Sequence, residues 1–235
     1  MYLKSLFLGA FVGTAGTMFG GILAVLFGKR SPSPRAFLSF AGGMMISIVF
    51  FDMLAESAQA GGIYVMCGGA AAGGIFFALL SPLISRGDTL SLYSTGILVI
   101  TVIAVHNLPE GLAIGSSLAR GEKFAFSLSL LLLTHNIPEG IAASLPLFLS
   151  GVGVKRVILI SALTGLPTAA GSFIGTALGH ISGEMTAACI SFAGGAMLYI
   201  SLKELIPANR GEKKEQNTLS VIMGFCAGFF ITMLV

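Results

Sequence analysis

His106-Asn107-Leu108-Pro109-Glu110-Gly111 recurs almost letter for letter as His135-Asn136-Ile137-Pro138-Glu139-Gly140. Each copy lies in the middle of a long apolar run. A carboxylate at the centre of a membrane helix costs about 3 kcal/mol to insert. A chain that does this twice, in register, has a use for the charge.

The surrounding chain explains why a membrane is the setting. Of its 235 residues, 55% are hydrophobic and 10% charged, and the mean hydropathy is +0.94; soluble domains carry about 25% charged residues. Eight apolar runs can be laid out, roughly 3–27, 36–55, 63–84, 90–118, 124–149, 154–178, 185–207 and 219–235. Each is near the length of about 20 residues that a helix needs to cross the hydrocarbon core, and too long for a barrel strand. The expected fold is therefore all-α and integral to the membrane, with eight transmembrane helices forming one transporter-like domain over 1–235. The connecting segments are short, and none is large enough to fold as a soluble domain. The first run is followed by Lys29-Arg30 and not by a small-residue cleavage site, so it reads as a span and not as a cleaved signal. Cys67, Cys189 and Cys226 stand far apart inside apolar runs and read as small core residues without a disulfide framework. The net charge of +3 resides in loops and does not make a nucleic-acid surface.

Loop charge sets the expected orientation. With eight spans, one side holds nine Lys and Arg (Lys29, Arg30, Arg35, Arg86, Lys155, Arg156, Arg210, Lys213, Lys214) and the other three (Lys4, Arg120, Lys123). The richer side is expected to be cytoplasmic, which puts both termini on the outer face of the cell (inner) membrane. Phe40-Ala41-Gly42-Gly43 recurs as Phe192-Ala193-Gly194-Gly195. The same alignment sets Met45 on Met197, Ile48 on Ile200 and Asp52 on Glu204. The two copies run in opposite directions, so spans one to three and six to eight read as inverted repeats around the fourth and fifth. Inverted repeats with a site near the bilayer midplane are a transporter architecture. The 32 glycines include pairs at small-xxx-small spacing, such as Gly9/Gly13, Gly16/Gly20 and Gly69/Gly73, which let helices approach closely in lipid.

On a helix, His106 and Glu110 share a face, as do His135 and Glu139, because they are four residues apart. The fourth and fifth spans are antiparallel and joined by a short loop, so both sets fall at one depth. Pro109 and Pro138 cannot donate to the carbonyls of Val105 and Thr134, which leaves acceptors free. Two carboxylates at one depth repel, and no Lys or Arg lies near in sequence. A divalent cation offsets both charges. Imidazole with carboxylate suits Zn²⁺, and also Fe²⁺, Mn²⁺, Co²⁺, Ni²⁺ and Cd²⁺. Four strong ligands are available: His106, Glu110, His135 and Glu139.

The chain resembles the ZIP (zinc/iron-regulated transporter-like) family of divalent metal transporters in its compact bacterial form. The resemblance rests on the paired His-Asn-x-Pro-Glu-Gly motif and covers essentially the whole chain. It implies metal uptake toward the cytoplasm, with His106, Glu110, His135 and Glu139 as ligands of a main metal position. It further implies a neighbouring position built from Asn107, Asn136 and Glu139, with Glu139 bridging. Some relatives complete that second position with an acidic residue on the sixth helix. Here Gly165-Leu166-Pro167-Thr168 offers only Thr168. Many relatives carry a His-rich loop between the third and fourth helices, where this chain has a short segment without histidine.

Asp52 and Glu56, near the outer end of the second span, read as an uptake-side relay, and Glu204 in the seventh as a release-side relay. The alternative for these three is interfacial snorkelling. The expected function is import of a divalent transition metal, zinc foremost, with the ion as substrate and no cofactor. The bilayer and the metal are the expected partners, and a homodimer is compatible with the sequence. The competing reading is an intramembrane metalloenzyme on the same His/Glu site. It lacks HExxH and any loop large enough to shape an organic-substrate pocket.

Overall fold

The computed structural model describes residues 1–30, 34–85, 91–118, 121–178, 182–206 and 214–234. Arg86, Arg120, Arg210 and Lys213 of the charge count, with the span ends at 90, 207 and 235, lie outside them. Everything regular among the described residues is helical. In chain order the elements are α1 (Tyr2–Arg30), α2 (Pro34–Ile48), a π-turn (Val49–Met53) and α3 (Leu54–Ser85). Then come α4 (Leu92–Ser117), α5 (Glu122–Leu149), α6 (Val154–Thr164) and α7 (Leu166–Leu178). They end with α8 (Gly183–Ile200), a second π-turn (Ser201–Leu205) and α9 (Lys214–Leu234). Six segments are long and apolar enough to cross a membrane: Tyr2–Arg30, Ala36–Ile84, Leu92–Ser117, Val154–Leu178, Gly183–Leu205 and Glu215–Met233. The chain is thus a multi-pass, all-helical membrane protein.

Two departures from regular helix have local causes. In the long run Ala36–Ile84, Gly62 alone leaves helical dihedrals, at φ 79 and ψ 168, a conformation that glycine adopts without a Cβ clash. The gap expected between the runs 36–55 and 63–84 is therefore a sharp break at Gly62 and not a loop. The run Val154–Leu178, read from sequence as unbroken, is divided at Gly165. Pro167 has no N–H to give, and the Gly165 and Thr168 amides fall back on carbonyls three residues earlier, Ala162 and Gly165.

The helices associate in two sets. In one, α1 lies along α5 and α4 along α7, with α6 against α1. In the other, α3 lies along α8 and α2 along α9. Glycine makes these contacts close. A Cβ at Gly111 would collide with the Thr168 carbonyl, and one at Gly140 with that of Thr17. Likewise Gly171 faces the Leu108 carbonyl and Gly20 that of Ile137. In the second set Gly73 faces the Phe192 carbonyl and Gly224 that of Phe40. Close backbone approach supplies the van der Waals contact that association in lipid depends on. Buried hydroxyls add cross-links: Ser161 Oγ donates to the Thr17 carbonyl at 2.6 Å, and Ser5 Oγ to that of Ser172 at 2.7 Å.

The two sets meet through an apolar cluster that includes Met45, Val49, Val102, Ile103, Met197 and Ile200. Phe7, Phe11, Leu79, Leu83 and Phe230 are exposed on the outer helix faces, where lipid would cover them. Cys67 and Cys226 are also exposed, which corrects their reading as core residues; all three thiols are free.

Gly73→Val should lower thermal stability in detergent by roughly 1–3 kcal/mol or more, because the added carbons meet a backbone carbonyl that cannot rotate away. Gly68→Ala, with open space at its Cβ, should leave the unfolding transition in place.

Candidate metal centre

Each half of the centre is one helical turn. His106 and Glu110 stack on α4, His135 and Glu139 on α5, with Pro109 and Pro138 inside those turns. All four side chains are buried, Glu139 completely. Among the described residues they form one group whose four candidate ligand atoms lie within 4.8 Å of one another. His106 Nε2 stands 3.1 Å from Glu110 Oε1 and 3.2 Å from Glu139 Oε1. His135 Nε2 stands 3.6 Å from Glu139 Oε1 and 3.8 Å from Glu110 Oε1.

These separations have a simple chemical meaning. Four ligands at 2.0–2.1 Å from a tetrahedral zinc stand roughly 3.3–3.4 Å apart. Moreover, both oxygens of Glu110 and Glu139 and both nitrogens of His106 have no hydrogen-bond partner, although they are buried and close. Of these atoms, His106 Nε2, Glu110 Oε1 and Glu139 Oε1 face one another, and His135 Nε2, across the centre. Buried polar atoms left this way are rare and call for an explanation such as an ion.

The remaining expected residues fall in three places. Asp52, on the first π-turn, reaches the centre directly: its Oδ2 accepts from His135 Nδ1 at 3.1 Å. Glu56 is exposed, and with Asp52, His106, Glu110 and His135 it lines a cavity of about 30 Å³. Glu204, on the second π-turn, is buried away from the four and accepts from Thr95 Oγ1 at 3.2 Å. On that side Val102 and Ile103 of α4 pack with Met45, Met197 and Ile200. Asn107, Asn136 and Thr168 are all fully buried. Asn107 Nδ2 donates to the Thr164 carbonyl at 2.7 Å, an acceptor that the break before Pro167 exposes. The side-chain oxygen and nitrogen of Asn136, the Asn107 Oδ1 and the Thr168 Oγ1 have no partner.

Sequence reasoning did not find Thr95 or Thr164, or the contact of Asp52 with His135. Nothing in the motif marks the first two. It also missed Thr17, which faces Gly140 as Thr168 faces Gly111. The shared Thr-x-x-Gly spacing of Thr17/Gly20 and Thr168/Gly171 was the available signal.

Residues 84–235, most of the chain, match the family model described as ZIP zinc transporter. The chain is similar to the zinc transporter GufA of Myxococcus xanthus, 33% identical over 143 residues, covering 60% of this chain and 56% of that protein. It is 38% identical over 143 residues to the zinc transporter ZupT of Clostridium perfringens, covering 60% of this chain and 49% of that one. It is 32% identical over 219 residues to the ZupT of Corynebacterium aurimucosum, covering 81% of this chain and 82% of that one. It therefore spans about half the length of the first two and about four-fifths of the third. On the family match and the extended alignment, the chain belongs to the ZIP zinc transporter family.

Proposed function

We propose that the chain is a secondary transporter that imports divalent transition-metal ions, zinc foremost, with His106, Glu110, His135 and Glu139 as the ligands of the transported ion. The observation that carries this is the convergence of four buried ligand atoms, two imidazole nitrogens and two carboxylate oxygens, within 4.8 Å of one another. The relatives' names, as zinc transporters, agree. Iron, manganese, cobalt and cadmium fit the same donor types. Asn107, Asn136 and Thr168 supply neutral oxygens beside the centre, with Glu139 available to bridge.

The eight-span reading is supported by the break at Gly62. The segment Ala36–Ile84 has 49 residues, about 74 Å as one helix and more than twice the hydrocarbon core. α5, with 28 residues, is long enough to cross as well. The inverted repeat is supported by the π-turns, since Val49 and Ser201 are separated by the same number of positions as Phe40 and Phe192. The matched glycine contacts of α3 with α8 and α9 with α2 agree with it. In this reading 1–235 forms one transmembrane domain with both termini outside.

Asp52 and Glu56 then stand on the uptake path, which the small cavity follows, and Glu204 on the release path behind the Met45–Met197 cluster. Alternating access requires that cluster to part as the two helix sets move. No observation favours a metalloenzyme; a cavity of about 30 Å³ is far below the roughly 300–1,000 Å³ of an organic-ligand pocket.

Zn²⁺ at a hundred times its dissociation constant should stabilise the purified protein by about 2.7 kcal/mol in thermal unfolding. Glu139→Gln should abolish that shift. In proteoliposomes without organic substrate, His106→Ala or Glu139→Ala should cut ⁶⁵Zn²⁺ uptake at least about tenfold; wild-type flux from both would sink the assignment. Glu204→Gln should keep the Zn²⁺-induced shift and slow the flux.

A further inference from the structure

The two histidines of the centre are not equivalent. His106 presents Nε2 to Glu110 and Glu139, and its Nδ1 is buried without a partner. His135 presents Nε2 to the same two carboxylates, but its Nδ1 faces Asp52 at 3.1 Å. An ionised aspartate only accepts hydrogen bonds, so the proton of this contact sits on His135 Nδ1. A neutral His135 then carries its lone pair on Nε2, the atom aimed at the centre. The contact also fixes the ring plane, because Asp52 belongs to the first π-turn and not to α5.

The π-turn is what allows the reach. The Leu54 amide bonds to the Val49 carbonyl five residues back, so the turn holds one more residue than an α-turn. That extra residue changes the direction in which Asp52 leaves the helix. The repeat-related π-turn does the same for Glu204, yet Glu204 bonds to Thr95 and not to His106. Thr95 precedes His106 on α4 by eleven positions, about 16 Å along the helix axis. Only one of the two ligand histidines is therefore held from behind.

We propose that Asp52 is a positioning residue for the metal, setting the tautomer and orientation of His135 so that Nε2 is presented as a ligand, rather than only a relay that passes ions inward. The inference rests on the reading of the four central side chains as metal ligands. Carboxylate, imidazole and metal in line is a recurrent arrangement, and removal of such a carboxylate costs 10–100-fold in metal affinity. A relay that merely attracts cations changes the rate of arrival and the dependence on salt, and leaves the equilibrium affinity at the centre nearly unchanged.

The test is equilibrium Zn²⁺ binding to the full-length protein in lipid nanodiscs, by competition with a chromophoric chelator, for wild type, Asp52→Ala and Asp52→Asn. Histidine ¹⁵N spectra report the His135 tautomer in parallel. Asp52→Ala should weaken Zn²⁺ binding by about 10–100-fold and release the His135 Nδ1–H preference. Asp52→Asn keeps an acceptor oxygen and should retain both the tautomer and most of the affinity. Wild-type affinity in Asp52→Ala, or Asp52→Asn no better than Asp52→Ala, overturns the proposal while the metal site stands. A wild-type protein that binds no Zn²⁺ overturns the ligand reading, and this inference with it.

Discussion

Glu110 and Glu139 are buried together, each within 4 Å of two imidazoles, and no Lys or Arg among the described residues pairs with them. Two desolvated like charges at this distance oppose folding unless something of opposite sign comes between them. In the proposed reading a divalent ion supplies that opposite charge. That constraint accounts for the depth of the site, its neutral surroundings and its partnerless lone pairs.

Holding such a centre demands rigidity from helices that have no hydrophobic drive to associate in lipid. The chain meets the demand with backbone contact. Gly111 and Gly140, the last residues of the two motifs, lie against the carbonyls of Thr168 and Thr17. The motif glycines therefore clamp α4 to α7 and α5 to α1 one residue after Glu110 and Glu139. A side chain there would push the helix outward and spread the four central side chains apart. Stability and the geometry of the site depend on the same atoms.

Three of the irregular stretches, unlike the break at Gly62, reach polar groups. The two π-turns carry Asp52 and Glu204, and the break before Pro167 hands the Thr164 carbonyl to Asn107. In hydrocarbon each freed backbone group must find a partner inside the protein. Here the freed groups and the buried polar side chains meet near the central helices.

The membrane setting, the all-helical class and the four central side chains were legible in the sequence, because hydropathy, run length and the four-residue spacing of His106/Glu110 and His135/Glu139 are local properties. Helical geometry alone places each pair on one face. The relation between α4 and α5 to other helices is not local. The contact of Asp52 with His135, the retreat of Glu204 to Thr95 and the division of one span at Gly165 depend on where a π-turn inserts its extra residue and on which carbonyl lies opposite a missing amide. The sequence by itself determined which residues carry charge into the membrane and at what spacing. Only the tertiary structure decided which of them meet, since convergence to within 4.8 Å is set by backbone packing between segments far apart in the chain.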